Sequence, residues 1–366
     1  MSILIFLIVL AVLIFVHELG HFIVAKKSGI KVEEFGIGFP PRLWSKRKGE
    51  TLYSINAIPF GGFVKIFGEN PDQESIHGSD SSRALFNKPR VIQAAVLFAG
   101  VFFNVLLAWF LISLGYIIGL PASTENFKGP GEITNPKVVI TFVMENSPAS
   151  QAGIKVGDVI RGASHQNLAL REIKPQSVSN FIDAYGSDGV NFTISRGKEI
   201  FSTPLKSENI AGSGRQLIGI SMDEIGTLKL PAYLALREGL KTTAKLVKET
   251  AVGIVKFIGN AIVGKGDLSQ VTGPVGIVGL VGDVSKLGFV YLVSFTAVIS
   301  VNLAIINLLP FPALDGGRLL FLGIEALIRR PISYKITNRL NQIGFALLIL
   351  LMIVVTFRDI TKLFGS

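Results

Sequence analysis

Three long stretches without a charged side chain constrain this chain before anything else does: residues 91–120, 287–314 and 340–357. A fourth apolar run covers residues 3–25 and is interrupted by polar groups only near its end. About 20 apolar residues carry a helix across the hydrocarbon core of a bilayer, and each run is near or above that length. Nearly half the chain is hydrophobic and 17% is charged, a balance that one soluble core cannot absorb. The expected fold class is a polytopic α-helical membrane protein with four transmembrane helices, and the lipid bilayer is its first partner. The run at 3–25 is expected to be a span rather than a removed leader, because Lys26, Lys27 and Lys31 follow it and no basic residue precedes it.

The net charge of +10 does not point to nucleic acid, because its placement follows the spans. Lys26, Lys27, Lys31, Arg42, Lys46, Arg47, Lys48, Arg83, Lys88 and Arg90 lie between the first and second runs. Arg318, Arg329, Arg330, Lys335 and Arg339 lie between the third and fourth. With four alternating spans these loops share one side, and basic flanks mark it as cytoplasmic. The termini and the long segment 121–286 then face outward, and no nucleic-acid partner is expected. The absence of cysteine excludes a disulfide framework and thiolate chemistry.

Four regions follow. Residues 1–122 hold spans one and two, with a membrane-associated β-hairpin expected at 52–68, where β-prone pieces flank a Pro-Phe-Gly-Gly turn. A polar loop follows at 70–83. Residues 123–227 are rich in Gly, Pro, Asn and Ser with short strands such as 137–143 and 190–195, the size of one small β-rich domain. Within it, "ENSPASQAGIKVGDVIRG" (145–162) is similar to the SPA-x-x-AG-x-x-x-GD-x-I signature of bacterial PDZ domains. Such domains bind an extended peptide by adding it to a sheet edge; a spacer or size filter without a ligand is the plainer reading. In 228–286, Leu236, Leu240, Val247, Ala251, Ile254, Ile258 and Ile262 recur at helical spacing, but Lys241, Lys245, Lys248 and Lys256 interrupt any span. The segment reads as an amphipathic helix at a surface. The Gly-rich stretch 272–282 is read as a turn or irregular loop. Residues 287–366 hold spans three and four.

The polar groups in the first run are His17, Glu18 and His21 in "FVHELGHFIV". On a helix the two histidines sit about 40° apart, with Glu18 inside the same ~100° arc. Two imidazoles one turn apart can share a zinc ion, and the adjacent carboxylate is placed as general base. A polar pair satisfied by neighbouring helices is the alternative, yet ionisable groups at membrane depth are functional candidates by default. Catalytic zinc generally takes three protein ligands. His77 lies in the polar loop and His165 in the β-rich segment, so neither is well placed. Asp315 in "NLLPFPALDGGRLL" (307–320) lies at the same end of its span as the histidines do of theirs. The prolines before it suggest an unwound segment, which is tolerated only against a protein cavity; an ordinary cytoplasmic turn is the alternative.

HExxH in the first span together with N-x-x-P-x-P-x-LDGG in the third resembles the site-2 protease family of intramembrane zinc metalloproteases. The likeness is strongest to the bacterial type that carries an outward PDZ domain. The resemblance implies that His17, His21 and Asp315 bind Zn2+ and that Glu18 is the catalytic base. It also implies that Asn307 handles substrate and that Gly100 and Asn104, in "AGVFFNVLLA" (99–108), let span two pack closely against span one. A zinc endopeptidase of a bacterial inner membrane is expected, cleaving single-span membrane proteins such as an anti-sigma factor or a remnant signal peptide. Relatives often carry two PDZ domains, whereas 123–226 has room for one. A scaffold with a degenerate site and a metal transporter are competing classes; intact motifs oppose the first and the lack of an internal repeat opposes the second.

Overall fold

A computed structural model describes all residues but 71–72, 126–128, 198, 210–215, 267–270 and 365–366. The chain opens with helix α1 (Ser2–Lys27), two long strands β1 (Val32–Lys48) and β2 (Thr51–Ile66), a short helix α2 (Gln73–His77) and helix α3 (Arg90–Ile118). Strands dominate next, and two helices interrupt them. In order these are β3 (Leu120–Ser123), β4 (Ile133–Val143), α4 (Pro148–Gln151), β5 (Val159–His165), β6 (Leu168–Ala169), α5 (Pro175–Tyr185), β7 (Val190–Arg196), β8 (Glu199–Leu205), β9 (Glu208–Asn209), β10 (Gln216–Leu217) and β11 (Ile220–Leu228). Five helices complete the chain: α6 (Ala232–Ile262), α7 (Pro274–Leu287), α8 (Phe289–Leu308), α9 (Asp315–Ile328) and α10 (Tyr334–Phe364). The chain divides into two compact units. One comprises Met1–Ser113, Gly239–Ser285 and Leu292–Ser366, and the other Leu114–Glu238 with Lys286–Tyr291.

Among the described residues four helices are long and apolar enough to cross a membrane: Ser2–Lys27, Arg90–Ile118, Phe289–Leu308 and Tyr334–Thr361. Each satisfies its backbone polar groups within itself, the condition for any segment in hydrocarbon. Their apolar outer faces stay exposed on the protein, as at Leu4, Ile8, Phe102 and Phe110. The third helix stops at Leu308, short of Pro310 and Pro312, because proline denies the backbone a donor and clashes with the preceding turn.

The hairpin expected at 52–68 is instead part of a wider sheet. Phe35 of β1 pairs with both Tyr53 and Val64 of β2, and Ile37 pairs with both Ile55 and Gly62. Residues 32–37 therefore lie between 51–56 and 62–66, and residues 42–48 pair with 51–56 on the far side. The two legs of the expected hairpin never meet. Residues 32–37 take the central place because Val32 is buried with Ala25, Ile30, Ile66, Leu85 and Val96 in one apolar cluster. The more charged 42–48 is left at an edge, where charge discourages further pairing.

The Gly-rich 272–282 is also not a loop; it starts α7. Its cap is remote: the Asp359 carboxylate on α10 accepts from the backbone N–H groups of Gly273 at 3.3 Å and Gly276 at 2.8 Å. A carboxylate at a helix N-terminus satisfies orphan donors and complements the dipole. The amphipathic segment is a single helix, α6, as its periodicity predicts.

The second unit is a sheet in the order β3-β11-β4-β5-β7-β8, with β6 paired to β5. Ile140, Ile160, Val178, Phe192 and Ile194 are among its fully buried side chains. The 145–162 signature is legible here as local structure. Ser147 accepts from the Ser150 N–H at 3.2 Å to cap α4, with Pro148 at its first position. Gly153 and Gly157 hold left-handed backbone at φ +74° and +91°, which residues with a Cβ avoid. Asp158, 1% exposed, accepts from Arg196 through two bonds of 2.7 and 2.8 Å and from the Lys155 N–H at 2.9 Å.

Candidate metal centre

Helix α1 brings His17 and His21 one turn apart on one face, both buried. Opposite them α3 runs close, and Gly100 makes the approach possible. A Cβ on Gly100 would lie 2.6 Å from His17 Cε1 and would also collide with His21 Nε2, closer than real Cβ contacts come. Gly20 of α1 serves the same packing from the other side, since a Cβ there would stand 2.8 Å from the Ala99 carbonyl carbon.

Asp315 arrives from 298 residues away. The LDGG segment is not a turn but the first turn of α9, with Leu314 at its N-cap. Gly316 and Gly317 are needed because a side chain at either would strike the backbone of Leu308, Leu309 and Phe311. The loop before it is tight: Ala313 holds a left-handed φ of 76°, and its N–H donates to Asn341 Oδ1 of α10 at 3.2 Å. Off-menu backbone of this kind persists only where its surroundings enforce it.

The three side chains converge. His17 Nε2 lies 3.0 Å from Asp315 Oδ2, His21 Nε2 lies 3.4 Å from it, and the two Nε2 atoms are 3.1 Å apart. A tetrahedral ion with bonds of about 2.0–2.1 Å holds its ligands roughly 3.3 Å from one another, so the triangle has the size a zinc ion requires. The donor set is also right in kind, with two imidazole nitrogens and one carboxylate and no sulfur. His21 Nδ1 is 2.7 Å from the Val96 carbonyl; an oxygen can only accept, so Nδ1 carries the proton and Nε2 presents a bare lone pair.

Glu18 stands beside this triangle without joining it. Its Oε2 accepts from the Val64 backbone N–H of β2 at 3.0 Å, which ties the carboxylate to the outer edge of the sheet. Nearby, Arg318 of α9 pairs with Glu69. Asn307 lies half-buried in the last turn of α8 and, among the described residues, makes no hydrogen bond to the cluster. His77 is exposed at the end of α2. His165 Nδ1 donates to the Gly189 carbonyl, 2.7 Å away, and the ring stacks on Tyr185; both histidines lie outside the cluster, as their sequence contexts suggest. Val64, Val96 and Ala313 had no sequence signal, because all three act through their backbones.

Comparison with known proteins agrees with this chemistry. Residues 5–351 match the family described as peptidase family M50. A zinc metalloprotease named RasP from Geobacillus kaustophilus is 30% identical, with 99% of this chain and 98% of that protein covered. Its alignment runs over 440 positions, more than the 366 residues here, so the relative carries additional sequence. The regulator of sigma-W protease RasP from Bacillus subtilis is 28% identical with 98% of both chains covered. A protein of Clostridium perfringens named as a candidate zinc metalloprotease is 36% identical over 97% of each chain.

Proposed function

Because the chain belongs to peptidase family M50, the site-2 proteases, and is a zinc metalloendopeptidase, we propose that His17, His21 and Asp315 hold the zinc ion and that Glu18 is its general base. The observation that carries this reading is the convergence of the three donor atoms, all within 4.8 Å of one another, from helices distant in sequence. A zinc ion held there supplies Lewis-acid polarisation of the scissile carbonyl and makes water acidic enough to ionise near neutral pH. Glu18, one residue from His17, takes the water's proton and returns it to the leaving amine.

The substrate class follows from what surrounds Glu18. A transmembrane helix hides its carbonyls in its own hydrogen bonds, so it must unwind before hydrolysis. Residues 62–66 of β2 pair with β1 on one side only among the described residues, and Val64 on the other side meets Glu18. A substrate strand laid along that edge replaces its lost helical bonds and brings a carbonyl beside the base. Asn307 then holds the exposed substrate backbone from α8. The substrate is a single-span protein of a bacterial inner membrane, an anti-sigma factor or a remnant signal peptide being the class that fits. The centre lies toward the cytoplasmic side, flanked by the basic loops.

The second unit serves as a PDZ-like extracytoplasmic domain within 123–227. Two features support this. The signature residues Ser147, Gly153, Gly157 and Asp158 each have a local structural task. A groove lined by Phe142, Met144, Ile182, Ile218, Ile220 and Met222 lies along β11 at residues whose β3 side carries no strand among the described residues, since β3 pairs only from Ile225 onward. An extended peptide end fits there, so the domain filters or binds substrates.

The test is Glu18→Gln. It should retain one zinc per chain while losing cleavage of a single-span reporter in liposomes; full cleavage would remove Glu18 from the mechanism. Asp315→Ala should release zinc to a mild chelator, and retention would remove it from the ligand set.

A further inference from the structure

We propose that Asn104 is a positioning residue of the metal centre: its side-chain oxygen accepts a hydrogen bond from His17 Nδ1–H and so directs the Nε2 lone pair of His17 at the ion. The inference rests on the reading of His17 as a ligand.

Asn104 is on α3, wholly buried, and its Nδ2 lies 3.2 Å from His17 Nδ1. Its other amide atom, Oδ1, is buried and, among the described residues, has no hydrogen-bond partner. Both facts point to the same adjustment. His17 Nε2 faces Asp315 and His21, so a ligand role needs a bare Nε2, and the imidazole proton must then sit on Nδ1. An N–H of Asn104 opposite that proton would set donor against donor. Amide oxygen and nitrogen have nearly the same shape, and a half-turn of the amide exchanges them. The half-turn gives His17 Nδ1–H an acceptor and at the same time removes Oδ1 from a place where nothing donates to it.

His21 shows the arrangement completed. Its Nδ1 is held by the Val96 carbonyl of the same helix α3. Val96, Gly100 and Asn104 stand at four-residue spacing, so one face of α3 offers an acceptor to each imidazole and a gap between them where Gly100 meets both rings. The backbone supplies the acceptor at His21, and the Asn104 side chain is the group placed to supply it at His17. The Asn104 backbone is itself braced, since Ser300 Oγ of α8 donates to its carbonyl at 2.7 Å. Partners that fix a ligating histidine's tautomer commonly contribute 10–100-fold in metal affinity.

The test compares zinc affinity, by chelator competition on detergent-solubilised full-length protein, for wild type, Asn104→Leu, Asn104→Asp and His17→Ala. Leucine matches the size of asparagine but cannot accept; aspartate accepts but cannot donate. The expected result is a loss of about 10–100-fold for Asn104→Leu and near wild-type affinity for Asn104→Asp. Aspartate binding as weakly as leucine, or leucine binding as tightly as wild type, overturns the proposal. Should Asn104→Leu fail to fold, Asn104→Asp decides alone, because a donating asparagine would not tolerate that exchange. His17→Ala separates the two readings: zinc retained there refutes the ligand assignment itself, whereas zinc lost there with Asn104→Leu unaffected refutes only the role of Asn104.

Discussion

The 145–162 signature and the His17–Asp315 cluster both gather polar side chains, yet their polar atoms do opposite things. In the β unit the motif closes on itself or on a near neighbour: Ser147 caps α4, and Asp158 is saturated by Arg196 and the Lys155 N–H. Ser147 and Asp158 are satisfied inside the unit, so they build a fold. In the membrane unit two imidazole nitrogens and a carboxylate oxygen are pressed to within 3.0–3.4 Å of one another, a gathering of lone pairs that folding alone does not favour. Polar groups that satisfy each other argue for structure; polar groups that aim at a common point argue for a ligand.

Substitutions sharpen that contrast in order of expected size. Glu18→Gln should lower cleavage of a single-span reporter by about 100- to 10,000-fold, the range of a lost general base, with melting temperature unchanged. A large drop in stability instead would place Glu18 with the structural residues, through its bond to Val64. Gly100→Ala comes next. The added methyl has no room against His17 Cε1 at 2.6 Å, so thermal unfolding should show a loss of about 1–3 kcal/mol, accompanied by weakened zinc binding. Asp158→Ala should cost about 1–3 kcal/mol in the β unit, because the charged hydrogen bonds to Arg196 disappear. Zinc content should stay at wild type, and a fall in it would erase the distinction between the regions. Glu50→Gln is the smallest. Lys26 and Arg83 hold the Glu50 carboxyl below its ordinary range. The stabilisation is therefore present above the unfolded carboxylate's pKa and lost as pH falls through the lower folded value. The pair is partly exposed, so the loss at neutral pH should stay under about 1 kcal/mol by chemical denaturation.

How much of this was readable in advance depended on where each interaction lies along the chain. The spans follow from local composition, and α6 from its own periodicity. HExxH needs only one turn of helix, so His17, Glu18 and His21 were legible as a set. Asp315 could be matched to them only by its end of the span and by family resemblance, because the 298-residue separation leaves no periodic trace. The LDGG glycines look like a turn in one dimension; their close approach to Leu308 and Phe311 makes sense only once α8 and α9 are packed. The hairpin reading failed because strand order is decided by burial of Val32 and Ile66, not by the turn between two legs. Likewise α7 reads as a loop until Asp359, far along the chain, supplies its cap.

The most direct measurement is anomalous diffraction at the zinc edge from crystals of the full-length protein. The account predicts one peak per chain about 2.0–2.2 Å from His17 Nε2, His21 Nε2 and an Asp315 oxygen. A zinc peak lying elsewhere, or one from which the Asp315 carboxylate stands apart, would contradict it.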